Sequence, residues 1–509
     1  MTYRVVWFKR DLRVHDHAPL AEAARLGPVL CLYALEPVLW QQPDAARQHL
    51  AFVQESLRDL QVELKCLGGR LHFAVGDAVD VLDRLHRQSP FLGLFSHEES
   101  GNAASYERDR RVKLWCEANA VPWREYRQFG VVRGLRERKH WVRQWEQLVQ
   151  SELMPSPALQ AAEVLRSNDP WPSADSLGLE VHEPDRRQRG GRANGLEMLQ
   201  SFLTDRSATY LGGISSPLSA SHACSRLSPY LTWGCLSLRE VVQAARLRMG
   251  DPALPTRQRL GLEGFMSRLH WHCHFIQKLE TEPAIEHHNM HRGYDGLRES
   301  DHNEVHLQAL KDGRTGWPLV DACVAMLRET GWINFRMRAM LVSVAAYPLW
   351  LHWRPVGEWL ARQFLDYEPG IHWSQMQMQS GTTGINTTRV YNPIKQARDH
   401  DPDGHFVRHW LPAMQKVPDA WLFEPWRMPP EVQTRCGVVV GEDIAMPLVD
   451  LEQATREAKQ RVYALRTDPA IAAVQADIVR RHGSRNRSAE NLSRPRSPEV
   501  QAQASLDFS

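Results

Sequence analysis

Short apolar runs alternate with amphipathic helical stretches through the first 130 residues, and this alternation constrains the fold more than any other feature. The apolar runs at 3–8, 29–35, 71–75 and 93–96 have the length of buried strands. Strands separated by helices predict a doubly wound parallel sheet with helices on both faces. The domain has neither a G-x-G-x-x-G nor a G-x-x-x-x-G-K-[ST] sequence, so a glycine-rich phosphate loop is excluded from it.

The pattern changes twice along the rest of the chain. Prolines and the run that begins at Arg186 predict a surface connection from about 132 to 195. Beyond Leu196 the helical period dominates, with helices predicted at 196–205, 237–248, 257–279, 318–330, 332–347 and 355–366. We therefore expect an α/β domain at 1–131, a linker at 132–195, an all-α domain at 196–466 and a basic, disordered tail at 467–509.

Composition limits the class of protein. Lys and Arg (62) nearly balance Asp and Glu (60), so the chain as a whole does not have the charge of a nucleic-acid coat protein. The sequence has no signal peptide and no run of about 18 apolar residues that could span a membrane. The eight Cys are scattered without a Cys-x-x-Cys, which predicts a reducing, cytoplasmic setting and no metal cluster.

One segment of the helical half has the chemistry of an anion site. Hydroxyls at Ser225 and Ser228 precede Pro229, a residue suited to the first turn of a helix. Free backbone N–H groups and hydroxyls at a helix start bind phosphate groups, and an ordinary helix N-cap uses the same residues. The segment alone leaves both interpretations open.

A second pattern joins basic and acidic residues. Arg336 and Arg338 are two positions apart among apolar neighbours, so at least one of them faces the core and needs an acidic partner. Asp366 and Glu368 follow the next predicted helix. A buried Arg–Asp pair is either a structural salt bridge or a means of polarising a heteroaromatic ring.

Several motifs in their order resemble those of the DNA photolyase and cryptochrome family. They are the runs that begin at Trp7 (WFKRDLRVHD), Ser225 (SRLSPYLTWG), Thr315 (TGWPLVD), Thr330 (TGWINFRMR) and Tyr391 (YNP). The resemblance extends from about residue 3 to about residue 430. It implies a Rossmann-like, antenna-type N-terminal α/β domain, an all-α FAD-binding domain, and FAD as cofactor. A second antenna chromophore of pterin or deazaflavin type is also possible in this family.

The resemblance implies a set of site residues. For FAD they are Tyr210, Cys224, Ser225, Arg226, Leu227, Ser228, Phe265, Arg268, Trp271, His272, Phe275, Asn334, Arg338, Asp366, Tyr367 and Glu368. Residues 224–228 match the flavin phosphate loop, and Arg338 and Asp366 match the pair beside the flavin ring. For damaged DNA, the expected partner, we predict Arg268, Phe335, Arg336 and Met376. For the electron relay, Trp353 matches the middle member and Trp373 the inner one, but Glu299-Ser-Asp stands where the outer Trp is expected.

Departures from the family pattern leave two functions open. Family members that repair cyclobutane dimers have Glu and Arg where this chain has Arg268 and His272, and Asn and Met where it has Phe335 and Ala339. The His pair of enzymes that repair the 6-4 lesion is also missing. The resemblance implies a photoreactivating lyase that splits pyrimidine photoproducts, with a blue-light photoreceptor or redox signalling flavoprotein as the alternative. In either case we expect a monomer.

Overall fold

A computed structural model describes residues 2–135, 137–162, 164, 168–180, 182–385 and 389–483. In this part of the chain the N-terminal domain contains a five-stranded parallel sheet in the order β3-β2-β1-β4-β5. The strands are β1 (Arg4–Phe8), β2 (Val29–Leu35), β3 (Leu71–Val75), β4 (Leu94–His97) and β5 (Trp123–Tyr126). Four of them agree with the predicted apolar runs to within a residue at each end. The sequence pattern missed β5, a short, partly exposed edge strand.

The helices form the layers around the sheet and the whole of the C-terminal domain. They are α1 (Ala18–Arg25), α2 (Pro37–Trp40), α3 (Arg47–Cys66), α4 (Ala78–Gln88), α5 (Ala103–Ala118), α6 (Trp141–Gln150), α7 (Arg192–Thr204), α8 (Tyr210–Gly213), α9 (Pro217–Ala223), α10 (Ser228–Thr232), α11 (Leu238–Met249), α12 (Thr256–Thr281), α13 (Glu304–Asp312), α14 (Pro318–Thr330), α15 (Phe335–Ala346), α16 (Trp353–Gln363), α17 (Pro369–Ser380), α18 (Pro393–His400), α19 (His405–Trp410), α20 (Pro430–Cys436), α21 (Leu451–Arg466) and α22 (Pro469–His482).

Both faces of the sheet are buried, as the alternation predicts. Along β1, Val6 and Phe8 pack on the face that α1 and α3 cover. Val5 and Trp7 pack on the opposite face, against α4 and α5. Successive side chains of a strand point to opposite faces, so an uninterrupted apolar strand requires helices on both sides. The doubly wound fold is therefore confirmed.

Two predicted boundaries need correction. The region 132–195 contains α6, which buries Trp141, Trp145 and Val149, and its last residues begin α7. It is therefore more than a surface connection. The tail does not begin at 467, because α22 packs Ile471 and Ile478 against the protein. The predicted disorder of 484–509 lies outside the described residues.

The two domains meet along a polar seam. Asp16, after β1, accepts hydrogen bonds from Ser237 Oγ (2.6 Å) and Arg239 Nε (3.1 Å). Arg13 Nη1 donates to Gly234 O at 3.0 Å. Gly234 has φ +64°, and a Cβ there would collide with the backbone of residues 10 and 11, so only glycine fits this close approach. No helix in the described ranges has the length and apolar character needed to cross a bilayer.

Candidate functional site

A buried ion pair lies between the start of α15 and the segment that joins α16 to α17. Arg338 donates from Nη1 and Nη2 to the two carboxylate oxygens of Asp366, at 3.0 and 3.1 Å. Arg338 Nε also donates to Ile333 O at 2.8 Å, and its guanidinium stacks 4.2 Å from the centroid of Phe364. Four restraints therefore fix the guanidinium. Of the two arginines in the sequence pattern, Arg338 is the one that takes the acidic partner.

The pair keeps its charges although Asp366 is buried. Burial acts to raise the pKa of Asp366, but Arg338 and a hydrogen bond from Ser228 outweigh it and bring this pKa below its ordinary value. Glu368, two residues on, behaves differently. Burial raises the pKa of Glu368 to about 7, although Arg10 lies 3.4 Å away. A permanent carboxylate thus stands beside one that titrates near neutrality.

Residues 224–228 form a loop between α9 and α10 with unused backbone donors. In the described part of the chain, the N–H groups of Ser225, Arg226 and Leu227 have no hydrogen-bond partner. Pro229 stands in the first turn of α10, as predicted. Arg226 has φ +61°, a left-handed conformation that is uncommon for a residue with a side chain. A loop of free N–H groups beside hydroxyls is an anion-binding arrangement.

Arg206, which sequence reasoning missed, supports this loop from its carbonyl side. Its guanidinium donates to the carbonyl oxygens of Cys224 and Ser225 and also to Met198 O at 2.8 Å. Because the carbonyls are turned toward Arg206, the N–H groups of the loop remain available. The residue lies 18 positions before Cys224 in the sequence, and no local motif marks it.

The segment around Tyr210 and α12 forms a third wall. Tyr210 is buried against Phe202 and Phe265, with ring centroids 5.5 and 6.2 Å away. Burial raises the pKa of Tyr210, and its hydroxyl has a hydrogen bond with Arg268 that opposes this shift. Cys224 lies within electrostatic range of both Arg268 and Arg338. The loop, α12 and the ion pair therefore converge.

A cavity of about 80 Å³ lies directly against the ion pair. The predicted residues that line it are Phe335, Arg338, Asp366, Tyr367, Glu368 and Met376. Those outside its lining are Tyr210, residues 224–228, Phe265, Arg268, Trp271, His272, Phe275, Asn334 and Arg336. His272 instead meets Phe129 of the N-terminal domain, with ring centroids 5.1 Å apart.

His372 also lines this cavity and was not predicted as a site residue. Its Nε2 bonds to Gly357 O at 2.9 Å, and a carbonyl only accepts, so the proton is on Nε2 and Nδ1 is an acceptor. Burial lowers the pKa of His372 to about 3. The ring is therefore neutral at physiological pH and offers one fixed acceptor beside the pair.

Sequence comparison identifies proteins that are related to this chain. Residues 4–132 match the family described as DNA photolyase, and residues 265–464 match the FAD binding domain of DNA photolyase. A deoxyribodipyrimidine photo-lyase from Streptomyces griseus is 30% identical over 476 residues, which cover 89% of this chain and 98% of the relative. The chain belongs to the DNA photolyase and cryptochrome family.

Other members differ in function. Cryptochrome DASH from Gloeobacter violaceus is 28% identical over 497 residues, covering 90% of this chain and 95% of the relative. A solved cryptochrome from Synechocystis has a TM-score of 0.80 at 22% identity, covering 90% of this chain and 99% of its own; it shares the fold. Photolyases and cryptochromes both appear among the relatives, so membership establishes the family and its FAD cofactor, but not which activity this member has.

The described residues fit FAD by chemistry. The loop at 224–228 supplies unused N–H donors for a pyrophosphate, and Asp366 and Arg338 supply fixed charge for a polar ring edge. Asn334 adds a buried amide whose nitrogen donates to Ile214 O and Ser215 O, while its oxygen has no partner in the described part of the chain. Buried polar atoms without a partner are rare in proteins and indicate a missing ligand or water.

The two predicted relay residues are in contact. The ring centroids of Trp353 and Trp373 lie 5.8 Å apart in a T-shaped arrangement, and both rings are buried. Trp353 also meets His352 at 5.2 Å. Among the described residues no third Trp makes a ring contact with Trp353, so the expected outer member does not appear in a conventional position.

A cleft at the carboxyl ends of β1 and β2 is the natural place for a ligand of the sheet domain. Its volume is about 120 Å³, below the 300–1,000 Å³ or so of ordinary ligand sites. Protein groups fill it: Arg108 bridges Glu36 (3.3 Å) and Glu99 (2.7 Å), and Tyr367 donates to Asp44 at 2.6 Å. A pterin or deazaflavin ring would have to displace these side chains, as the flavin ring would at the smaller cavity beside Arg338 and Asp366.

Three buried ligand-type side chains meet beside the cleft. The ligand atoms of Asp11, His17 and His97 lie within 4.8 Å of one another, a spacing that also suits a metal ion. However, His17 Nδ1 accepts a hydrogen bond from Leu20 N, so its proton is on Nε2, which donates to Asp11 at 3.0 Å. A ring in this tautomer has no free Nε2 lone pair for a metal, and the cluster is a hydrogen-bonded core network.

Proposed function

We propose that this chain is a FAD-dependent, light-driven DNA repair enzyme of the deoxyribodipyrimidine photolyase type. One observation carries the proposal. The loop of free N–H donors at 224–228 and the buried pair of Arg338 and Asp366 converge beside a cavity that reaches the surface at Phe335, which is 40% exposed. Such a site holds a charged cofactor inside and admits a base from outside.

Each part of the site has a defined task in this proposal. The N–H groups of 225–227 bind the pyrophosphate, while Arg206 keeps the loop in shape. Arg338 and Asp366 orient the ring and fix the charge beside it, and His372 Nδ1 offers an acceptor. When bound and reduced, FAD supplies a light-excited electron to the damaged pyrimidines. Because the cavity at the pair holds only about 80 Å³, the ring must displace lining side chains, and Phe335 is the least buried of these.

The DNA side of the proposal uses the rim of the cavity. A damaged pyrimidine pair must leave the duplex to reach the flavin. Phe335 and Met376 line the cavity and give the extruded bases an apolar surface. Arg336 follows Phe335 at the start of α15 and is half-buried, and we assign its guanidinium a phosphate contact. Arg268 on α12 completes the predicted set.

Specific residues also favour the alternative, a cryptochrome-like photoreceptor or redox signalling flavoprotein. Phe335 and Ala339 offer no hydrogen bond to a damaged base, which weakens recognition of either known lesion. The contact between Trp353 and Trp373 suits photoreduction of FAD, which a photoreceptor needs more than a repair enzyme with reduced flavin does. The two functions therefore predict different results with lesion-bearing DNA.

The test is lesion loss under light. Full-length protein with chemically reduced FAD is mixed with a duplex that carries either one cyclobutane dimer or one 6-4 photoproduct, illuminated, and the remaining lesion is quantified by chromatography. The proposal expects loss of one of the two in the light and none in the dark. No loss of either lesion with fully reduced flavin contradicts it and favours the photoreceptor.

We further propose that the enzyme works as a monomer in the cytoplasm. All eight Cys lie in described parts of the chain and are unpaired, which suits a reducing compartment. Gel filtration with light scattering at micromolar concentration should give one chain per particle. A stable dimer would contradict the proposed monomer. A disulfide bond found in the protein isolated from cells would contradict the proposed reducing compartment.

A further inference from the structure

A second concavity lies on the other side of the 224–228 loop, between α9, α14 and α19. It holds about 460 Å³, which is within the usual range for small-molecule sites. Its walls include Ser221, Arg226, Met326, Phe406 and Trp410, and we call it the α9–α19 pocket. None of its lining residues lines the cavity at Arg338 and Asp366, so it is a separate site in the described structure.

Arg226 presents a fixed but unused guanidinium to this pocket. Its Nε donates to Gln188 Oε1 at 3.0 Å, and Gln188 Nε2 donates back to Arg226 O at 2.9 Å. The guanidinium carbon lies 3.8 Å from the ring centroid of Trp332. In the described part of the chain no carboxylate lies within 4.0 Å of this guanidinium, and its two Nη atoms have no hydrogen-bond partner. A guanidinium held this way can donate two parallel hydrogen bonds, one from each Nη atom, to a phosphate.

The charge around this guanidinium favours an anion. Burial lowers the pKa of Arg226 to about 10, so the group stays charged at physiological pH. Arg186 at the rim is already paired with Glu329 at 2.8 Å. Asp366 acts on the charge of Arg226 from the ion pair with Arg338, but Asp366 does not line this pocket. An anionic group in the pocket would supply a counter-charge on this side of the half-buried guanidinium.

Part of the wall of this pocket is aromatic. Phe406 is buried and Trp410 half-buried, and both line the pocket. Arg186 lies 5.9 Å from the ring centroid of Trp410. Met326 and Pro217 add apolar surface, and Ser221 adds a hydroxyl. A flat ring can stack on such a wall while an attached phosphate reaches Arg226.

We propose that the α9–α19 pocket binds a mononucleotide, with its phosphate on Arg226 and its ring against Trp410 and Phe406. The loop then serves two ligands from its two sides: its backbone N–H groups face FAD, and the side chain of Arg226 faces the second nucleotide. Arg226 has a strained, left-handed backbone conformation, with φ +61°. This conformation sets the direction both of the loop N–H groups and of the Arg226 side chain. The proposal concerns binding in the dark and does not depend on the repair activity.

The test uses the full-length, FAD-loaded protein. Adenosine monophosphate and flavin mononucleotide are titrated by calorimetry, with adenosine and inorganic phosphate as the ring-only and phosphate-only probes. We expect one equivalent of at least one mononucleotide to bind while FAD stays bound, and each half-ligand to bind roughly tenfold more weakly or worse. Binding of one mononucleotide but not the other identifies the preferred ring. If neither binds, the proposal fails.

Variants locate the bound ligand. Trp410→Leu should weaken mononucleotide binding by roughly tenfold or more with the FAD content unchanged, and Arg226→Gln should weaken it by a similar factor. The control is Arg427→Gln, which alters an exposed arginine paired with Glu424 outside the pocket and should bind like the unmodified chain. Arg226→Lys keeps the charge but lacks the two Nη donors. Its affinity for the mononucleotide should lie between those of the unmodified chain and Arg226→Gln, and it replaces Arg226→Gln as the test if that variant does not fold.

Two results would overturn the site. If Arg226→Gln or Arg226→Lys releases FAD and leaves mononucleotide affinity unchanged, the guanidinium belongs to the FAD site. If binding survives both the Arg226 and Trp410 substitutions, the mononucleotide binds elsewhere. Neither result bears on lesion repair, so failure here is distinguishable from failure of the proposed function.

Discussion

At the scale of single residues, the pair of Arg338 and Asp366 brings charge into a largely apolar part of the helical domain. Each partner has further contacts: Arg338 donates to Ile333 O and stacks on Phe364, and Asp366 has a hydrogen bond with Ser228. The sequence spacing predicted that one arginine of the 336/338 pair takes an acid. It could not predict His372 or Arg206, because both act through tertiary contacts with backbone carbonyls that lie far from them in sequence.

Asp366→Asn tests the role of this carboxylate. The substitution leaves the half-buried guanidinium of Arg338 without its charged acceptor, which costs roughly 2 kcal/mol, so we expect a lower melting temperature and loss of FAD during gel filtration. Asp399→Asn is the matched control, because Asp399 pairs with Lys395 on the surface and exposed pairs contribute little. The ratio of flavin to protein absorbance measures the result. Equal FAD retention in the two variants would argue against the assignment.

The contact between Trp353 and Trp373 predicts a path for electrons. Trp373→Phe and Trp353→Phe should each slow photoreduction of bound FAD several-fold under constant blue light with an external donor. Trp359→Phe serves as control, since Trp359 is equally buried but makes no ring contact with either in the described part of the chain. Flavin bleaching at its visible band gives the rate. A similar effect of all three substitutions would point to core packing instead.

At the scale of elements, helices with a strong hydrophobic pattern could be predicted from the sequence, whereas helices that bury polar side chains could not. The pattern predicted α14 and α11 almost to the residue, because α11 buries one apolar face and α14 is an apolar segment bounded by Pro318 and Gly331. It missed α17, which buries Ser374, Gln377 and Gln379 together with Trp373 and Met376 and so shows no apolar face. It also missed β5, whose four residues are too few and too exposed for an alternating pattern. In both cases tertiary surroundings decide the structure.

The docking of α22 predicts a dependence on pH. His482 Nε2 donates to Glu282 at 2.7 Å, and burial lowers the pKa of His482 in the folded protein, where Lys278 and Arg138 are close. Undocked α22 therefore binds a proton more tightly, so docking is fully stabilised above the ordinary histidine pKa and weakens as pH falls below about 6.5. Glu282, whose pKa is lowered chiefly by His482, adds to this weakening at lower pH.

Hydrogen exchange measures this effect. After correction for the intrinsic rate, amides of α22 should exchange faster at pH 5.5 than at pH 7.5, by up to about tenfold, because pH 5.5 lies one unit below the ordinary histidine pKa of about 6.5. The amides of α11 should be unaffected and serve as the internal control. In His482→Gln the difference between the two pH values should largely vanish. An unchanged rate in the unmodified α22 would contradict the account.

At the scale of the whole molecule, the seam between the domains has energetic consequences. Asp16, Arg13 and Gly234 join the first loop of the sheet domain to the start of the helical domain, and one core cluster runs from the sheet into α7 and α12. Two domains that share a core should unfold together. The sequence showed both domains but not this seam, because its partners are more than 200 residues apart.

Differential scanning calorimetry tests whether the two domains unfold cooperatively. We expect one unfolding transition for the unmodified chain, and Asp16→Ala should lower its midpoint by several degrees, because Ser237 and Arg239 lose their acceptor. Glu107→Ala, which removes a carboxylate from the exposed pair with Arg110, is the comparison. Two well-separated transitions in the unmodified protein would show that the domains are independent.

The central claim is that this family member repairs DNA, and turnover tests it most directly. Full-length protein is reduced once, freed of reductant under exclusion of oxygen, mixed with a tenfold excess of lesion-bearing duplex and illuminated, and lesions lost per protein molecule are counted for the dimer and the 6-4 photoproduct separately. The account predicts more than one lesion lost per molecule for one of them, because the electron returns after each bond splitting. No loss of either lesion, or loss that stops at one per molecule, would contradict it.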